Sequence, residues 1–224
     1  MKLTSRALTV VSALLDVLAP RRCAACDALT PGSNGYCAEC GAPEPLLDVA
    51  LHIQGVPVFA GAHYADPIAA AIHRFKYENA PELSRTLATL AARGIDLLGI
   101  EAGDVWVPVP LHPLRLAERG YNQSALLARE LSRFARGPVD VRRLRRLRHT
   151  EQQAKRDRRG RSQNVAHAFA ARARASRQRV VLVDDVVTTG ATLAACIAAL
   201  RAAGDDVVGC VAVACAGSRP GEAH

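Results

Sequence analysis

Residues 179–193, Arg-Val-Val-Leu-Val-Asp-Asp-Val-Val-Thr-Thr-Gly-Ala-Thr-Leu, restrict this chain more than any other stretch. An unbroken aliphatic run reads as a strand buried on both faces, which is the habit of parallel sheets with helices on either side. The run delivers two adjacent carboxylates, Asp184 and Asp185, at its C-terminal end, and a Thr-rich turn and a helix follow. Ligands of open α/β sheets bind just beyond such strand ends. A helix N-terminus there offers unpaired N–H groups and partial positive charge to an anion. Gly190 lets backbone approach closely, while Thr188, Thr189 and Thr192 add hydroxyl donors. Paired acids repel phosphate but suit neutral hydroxyls or a divalent cation. A phosphorylated sugar with a free diol therefore fits better than a nucleoside triphosphate.

The rest of the chain alternates in the same manner. Residues 56–64 read as a strand, 67–77 as a helix with Pro67 in its first turn, and 81–98 as a second helix. A short buried strand at 104–110 ends in prolines, and 122–134 is helical with Asn122 as its N-cap. A helix at 191–203 closes on Gly204, and 207–214 is the last strand. This order predicts an α/β fold with a mainly parallel sheet flanked by helices. Residues 142–164 lack apolar periodicity and are expected to form a long surface loop of functional character.

The N-terminal fifth is different. Cys23-x2-Cys26 and Cys37-x2-Cys40 bracket a turn-rich segment, a spacing that suits a tetrahedral thiolate zinc site, with two disulfides as the competing reading. So few residues cannot bury a core of their own without such a staple. Residues 1–20 place Leu8, Val11, Leu14, Leu15 and Leu18 at helical spacing, and Asp16 interrupts what would otherwise resemble a secretory leader. The expected organisation is an amphipathic helix at 1–20, a four-cysteine ribbon at 21–47, an α/β domain at 48–217 and a disordered tail at 218–224. No run is long enough for a membrane span, and the chain reads as cytoplasmic. Cys196, Cys210 and Cys215 fall on apolar faces and read as core residues.

Charge is unevenly placed. The net charge is +8, and residues 129–179 carry roughly seventeen basic residues against about four acids, more than the whole imbalance. Such a run serves either phosphate-bearing partners or only solvation. In the loop after the 104–110 strand, Arg115 and Arg119 can grip a pyrophosphate with guanidinium forks, or form the basic turn of a surface helix. His112 is a donor or a polar loop residue.

The stretch at 180–193 closely resembles the motif with which type I phosphoribosyltransferases bind 5-phosphoribosyl-1-pyrophosphate (PRPP). That resemblance implies that Asp184 and Asp185 hold the ribose hydroxyls. It also implies that Val186, Val187, Thr188, Thr189, Gly190, Ala191 and Thr192 line the 5′-phosphate site. The order of further motifs is similar to the ComF family: the cysteine pairs, Phe75-Lys76-Tyr77, Val-Pro-Val-Pro-Leu-His112, Arg119-Gly-Tyr-Asn-Gln123, Thr150-x-x-Gln153, Arg161-x-x-Asn164 and Phe169. Members of that family combine a phosphoribosyltransferase-like domain with an N-terminal zinc ribbon, and its founding members assist DNA uptake in competence.

The resemblance implies structural Zn²⁺, Mg²⁺ accompanying PRPP, and a flexible hood about 142–164 using Gln153, Arg161 and Asn164. Lys155 and Arg156 depart from the Gly and Leu usual there. The resemblance also implies a phosphate contact for Lys76, with a basic residue on an exposed helix face as the alternative. Three functions compete: ribosyl transfer from PRPP, single-stranded DNA binding within the DNA-uptake machinery, and PRPP sensing without turnover.

Overall fold

A computed structural model describes residues 21–30, 35–49, 51–147 and 168–216. The amphipathic helix expected at 1–20, the tail at 218–224, and Gln153, Arg161 and Asn164 of the expected hood lie outside the described residues.

A five-stranded sheet organises the domain in the order β1-β2-β7-β6-β3. Its strands are β1 (Leu51–Ile53), β2 (Val56–His63), β3 (Val105–Pro108), β6 (Arg179–Val187) and β7 (Asp206–Cys215). The β2–β7, β7–β6 and β6–β3 pairs are parallel, and β1 joins β2 as an antiparallel edge. The three aliphatic strands β2, β6 and β7 sit in the middle, where both faces are covered. Along β6 and β7 the side chains alternate between two cores, as a period of two requires. Val181, Val183, Val211 and Val213 meet α1 (Ile68–Tyr77), α2 (Leu83–Ala91) and α5 (Gln123–Ala135) on one face. Val180, Leu182, Cys210 and Ala212 meet α6 (Ala191–Ala202) on the other. The mainly parallel, helix-flanked sheet predicted from the alternating pattern is the architecture found.

Three local expectations need correction. The helix expected over 81–98 is broken: α2 ends at Ala91 and a single turn, α3 (Gly94–Leu97), follows. Gly94 sits so close to β2 that a Cβ there would lie 2.6 Å from Phe59 Cδ1, so tertiary packing overrides a continuous helical pattern. Secondly, β6 runs on through Val187, so Asp184 and Asp185 lie inside the strand, and the turn starts only at Thr188.

Thirdly, the surface loop expected from residue 142 starts as structure. β4 (Leu144–Arg146) pairs antiparallel with β5 (Phe169–Ala171) in a small second sheet over α6, and Leu144 and Phe169 are buried. The neighbouring Arg143 is buried as well. Its Nε donates to Asp205 Oδ2 at 2.7 Å, a second guanidinium nitrogen reaches the same oxygen, and a third donates to the carbonyl of Arg172. Both side chains of the pair are fully inaccessible. Hydrophobic periodicity cannot register an arginine that enters the core with its own counter-ion.

Removing one partner of such a pair strands a buried charge, so Arg143→Ala is expected to cost about 3–5 kcal/mol. Replacing both partners, Arg143→Met with Asp205→Asn, is expected to recover most of that loss. Urea unfolding of the three proteins checks both values.

Candidate functional site

The acid pair forms the floor of the site. Asp184 Oδ1 accepts the Ser124 hydroxyl at 3.1 Å and the backbone N–H of Asp185 at 2.9 Å. Asp185 Oδ1 lies 2.8 Å from Lys76 Nζ, with both side chains largely buried. Lys76 therefore stands on no exposed face: it reaches across from the last turn of α1 to the strand. Burial, reinforced by the charge of Asp185, pushes the Asp184 carboxyl up to about 7, while Lys76, the Asp185 N–H and Ser124 hold it back.

Ser124 is placed by a brace that the sequence shows only as turn and cap residues. Asn122 caps α5 by accepting the Ser124 N–H at 3.0 Å, and its Nδ2 donates to the carbonyl of Val109 at 3.0 Å. Tyr121 Oη donates to the carbonyl of Phe75 at 2.6 Å, and the two rings pack 5.9 Å apart. Residues 121–124 thus tie the C-terminal end of α1 to the loop after β3. They also aim the N-terminus of α5 at Asp184.

Beyond β6 the turn 188–190 forms a cup. Gly190 is the N-cap of α6 at φ +74°, and a Cβ there would lie 2.6 Å from Ile53 Cδ1. Both the left-handed backbone and the contact with β1 exclude a side chain. Val186, Val187, Thr188, Thr189, Ala191, Thr192 and Leu193 complete the lining together with Asp184. The enclosed space is about 30 Å³, room for about two waters. The cup can seat one end of a ligand, but it is too small for a whole nucleotide.

Further cationic side chains come from the segment after β3 and from β4. Residues 113–119 form a short surface helix α4 (Pro113–Arg119), the second of the two readings of Arg115 and Arg119, capped by His112, whose Nδ1 accepts the Leu114 N–H at 3.3 Å. Arg115 lies in its first turn and pairs with Glu118 at 3.3 Å. Arg119 lies in its last turn and donates to Gln123 Oε1 at 3.1 Å and to Tyr77 Oη at 3.2 Å. Arg146 of β4 was not singled out by the sequence. Burial lowers its pKa first of all, while the charges of Cys196 and Asp184 raise it and that of Arg115 lowers it. Its guanidinium also stands 5.5 Å from the centre of the Phe169 ring. An Arg within a basic run carries no signal of this placement.

The cysteines converge. The ligand atoms of Cys23, Cys26, Cys37 and Cys40 all lie within 4.8 Å of one another, with Cys26 Sγ and Cys37 Sγ 3.6 Å apart. Four sulfurs around one tetrahedral zinc stand roughly 3.8 Å apart, given Zn–S bonds of about 2.3 Å, so the cluster can hold a metal ion. Burial would raise the Cys23 thiol, yet backbone groups of Cys26, Cys37 and Ala25 outweigh it and bring it down to about 6. This knuckle is seated on α1. Arg74 donates to the carbonyls of Cys23 at 2.9 Å and Ala24 at 3.1 Å, and pairs with Asp27. By contrast, burial pushes the thiols of Cys196, Cys210 and Cys215 up, which leaves them unreactive.

Among the described residues, no helix is long and apolar enough to cross a membrane. Residues 117–223 match the family described as "Phosphoribosyl transferase domain". Competence protein F of Haemophilus influenzae is 35% identical over 70% of this chain and 69% of its own length. The DNA utilization protein YhgH of Escherichia coli K12 is 34% identical over 77% of this chain and 80% of its own. Competence protein ComFC of Bacillus subtilis is 30% identical over 58% and 52% respectively. At this similarity over most of its length, this chain belongs to the ComF family.

Proposed function

We propose that this chain is a PRPP-binding protein of phosphoribosyltransferase type that serves DNA uptake or DNA use. The observation that carries the reading is the succession of two carboxylates and a Gly190-centred cup within one strand-to-helix unit. Asp184 and Asp185 would accept the ribose hydroxyls. Backbone N–H groups over residues 186–192, with the hydroxyls of Thr188, Thr189 and Thr192, would take the 5′-phosphate at the N-terminus of α6. Lys76, already paired with Asp185, and Arg115, Arg119 and Arg146 would take the pyrophosphate charge. Gln153, Arg161 and Asn164 would close over the bound ligand and exclude water.

Two carboxylates do not make a complete cage, so Mg²⁺ would arrive with the oxygens of the ligand, where it neutralises pyrophosphate charge. The four thiolates suit structural Zn²⁺: a closed sulfur shell leaves no open position for chemistry. The chemistry that the arrangement can support is cleavage of the anomeric C–O bond, pyrophosphate leaving and an acceptor taking the ribosyl group. Localisation in the cytoplasm, where thiols stay reduced, agrees with this reading.

The names of the relatives tie the family to competence and DNA utilization. Exposed Arg142 and Arg145 beside the expected hood favour contact with a DNA strand as the alternative role.

Isothermal titration of PRPP with Mg²⁺ into the metal-loaded protein tests the central reading. The wild type is expected to bind, and the double variant Asp184→Ala, Asp185→Ala to show no heat beyond dilution. A silent wild type would remove PRPP as the ligand and leave the strand-binding role.

Protonation of Asp184 gives a second test. In the ligand-free protein the folded state keeps a proton that the unfolded chain releases near pH 4, so stability falls as pH rises from there to about 7 and stays lower above it. Asp184→Asn is therefore expected to raise the unfolding midpoint at pH 8 more than at pH 5 while weakening PRPP binding. An equal gain at both pH values would contradict the assignment.

Metal analysis is expected to find about one zinc per chain, lost in Cys23→Ser together with part of the thermal stability. A metal-free wild type of full stability would exclude the zinc site.

A further inference from the structure

Two carboxylates side by side in β6 invite a cation, and Lys76 already supplies one. Its Nζ lies 2.8 Å from Asp185 Oδ1, and only 20% of the lysine side chain and 13% of the carboxylate are exposed. An ion pair so little exposed is screened less than one on the surface, and its charges hold each other more firmly. Asp184 meets its own needs differently. It accepts the Ser124 hydroxyl and the Asp185 N–H, and burial favours its neutral form. In the ligand-free protein the acids are therefore balanced from within the chain.

The backbone that carries the ammonium is fixed just before it. Arg74 donates to the carbonyls of Cys23 at 2.9 Å and Ala24 at 3.1 Å. Phe75 is fully buried, and its carbonyl accepts the Tyr121 hydroxyl at 2.6 Å. With residues 74 and 75 anchored, the part of Lys76 left to move is its four-carbon stem, which carries a point charge on rotatable bonds. A flexible stem on a fixed root is suited to exchanging partners. A pyrophosphate carries more negative charge than one carboxylate and would draw the ammonium away from Asp185. A lone divalent cation has no such lever. It must expel a paired ammonium from a largely buried place, and it brings no anion to receive that charge.

We infer that Lys76 is a tethered counter-ion that keeps Asp185 closed to divalent cations until a pyrophosphate-bearing ligand takes up its charge. The release by ligand rests on the proposed PRPP reading; the exclusion of a lone cation does not. The consequence is an order of arrival, in which a metal reaches the acids with the ligand and not ahead of it.

Electron paramagnetic resonance of Mn²⁺, added to the zinc-loaded protein at pH 8 without PRPP, tests the exclusion. Lys76→Met is expected to bind Mn²⁺ at least about tenfold more tightly than wild type, and Lys76→Met with Asp185→Asn to lose that gain. Lys76→Gln, which is neutral yet still able to donate to Asp185, repeats the comparison should Lys76→Met fail to fold. Wild type that binds Mn²⁺ as tightly as the neutral variants overturns the inference, as does a gain that survives Asp185→Asn. Calorimetric titration of PRPP without Mg²⁺ tests the release: the neutral variants are expected to bind about tenfold more weakly than wild type. Affinity equal to wild type overturns the exchange of partners. A wild type silent to PRPP removes the PRPP reading and leaves the Mn²⁺ result standing, so the two failures are told apart.

Discussion

Two neighbouring carboxylates at the end of a buried strand cannot both be charged at neutral pH without help, and much of this molecule is arranged to give that help. Desolvation and the charge of Asp185 act together on Asp184. The opposing groups come from three elements: Lys76 from α1, Ser124 from α5, and the N–H of Asp185 from β6 itself. Each must be held in place for the pair to persist. Tyr121 fastens the end of α1, and Asn122 fastens α5 to the loop after β3. The cysteine knuckle joins the same arrangement, because Arg74 grips its carbonyls from the helix that carries Lys76 two residues later. The helix that carries Lys76 is thus anchored at the knuckle as well as at Tyr121.

How far the sequence revealed this depends on the kind of signal. Aliphatic runs and cap residues are local, so β2, β6, β7, α5 and α6 were legible within a residue or a few. The α/β class followed from their order. The cysteine cluster was legible because metal spacing is itself a local pattern, and the four sulfurs do converge. The Gly190 cup was legible for the same reason.

What stayed hidden was whatever depends on a distant partner. Gly94 breaks a helix because Phe59 lies against it, and nothing near Gly94 announces Phe59. The partner of Lys76 is more than a hundred positions away, so its spacing could not separate an exposed face from a contact with Asp185. Arg143 and Arg146 look alike in a run of arginines, yet one is buried against Asp205 and the other lies over the Phe169 ring. The region around Gly120-Tyr121-Asn122-Gln123 was visible as turn and cap, but its bracing role depends on carbonyls of α1 and of the loop after β3.

The same distinction changes the meaning of the net charge. The excess between residues 129 and 179 invites the picture of a continuous basic surface for DNA. Within the described residues, much of it turns inward or sideways instead. Arg143 pairs with Asp205, Arg174 with Asp140, Arg177 with Asp206 and Arg179 with Asp104. Ion pairs between neighbouring surface groups add little stability, but they cancel the local field that an approaching phosphate would feel. The acid pair has its own cation, Lys76 against Asp185, and burial favours the neutral form of Asp184. A ligand carrying both hydroxyls and phosphates satisfies the acids and the cations at once, which neither a bare phosphate nor a neutral sugar does.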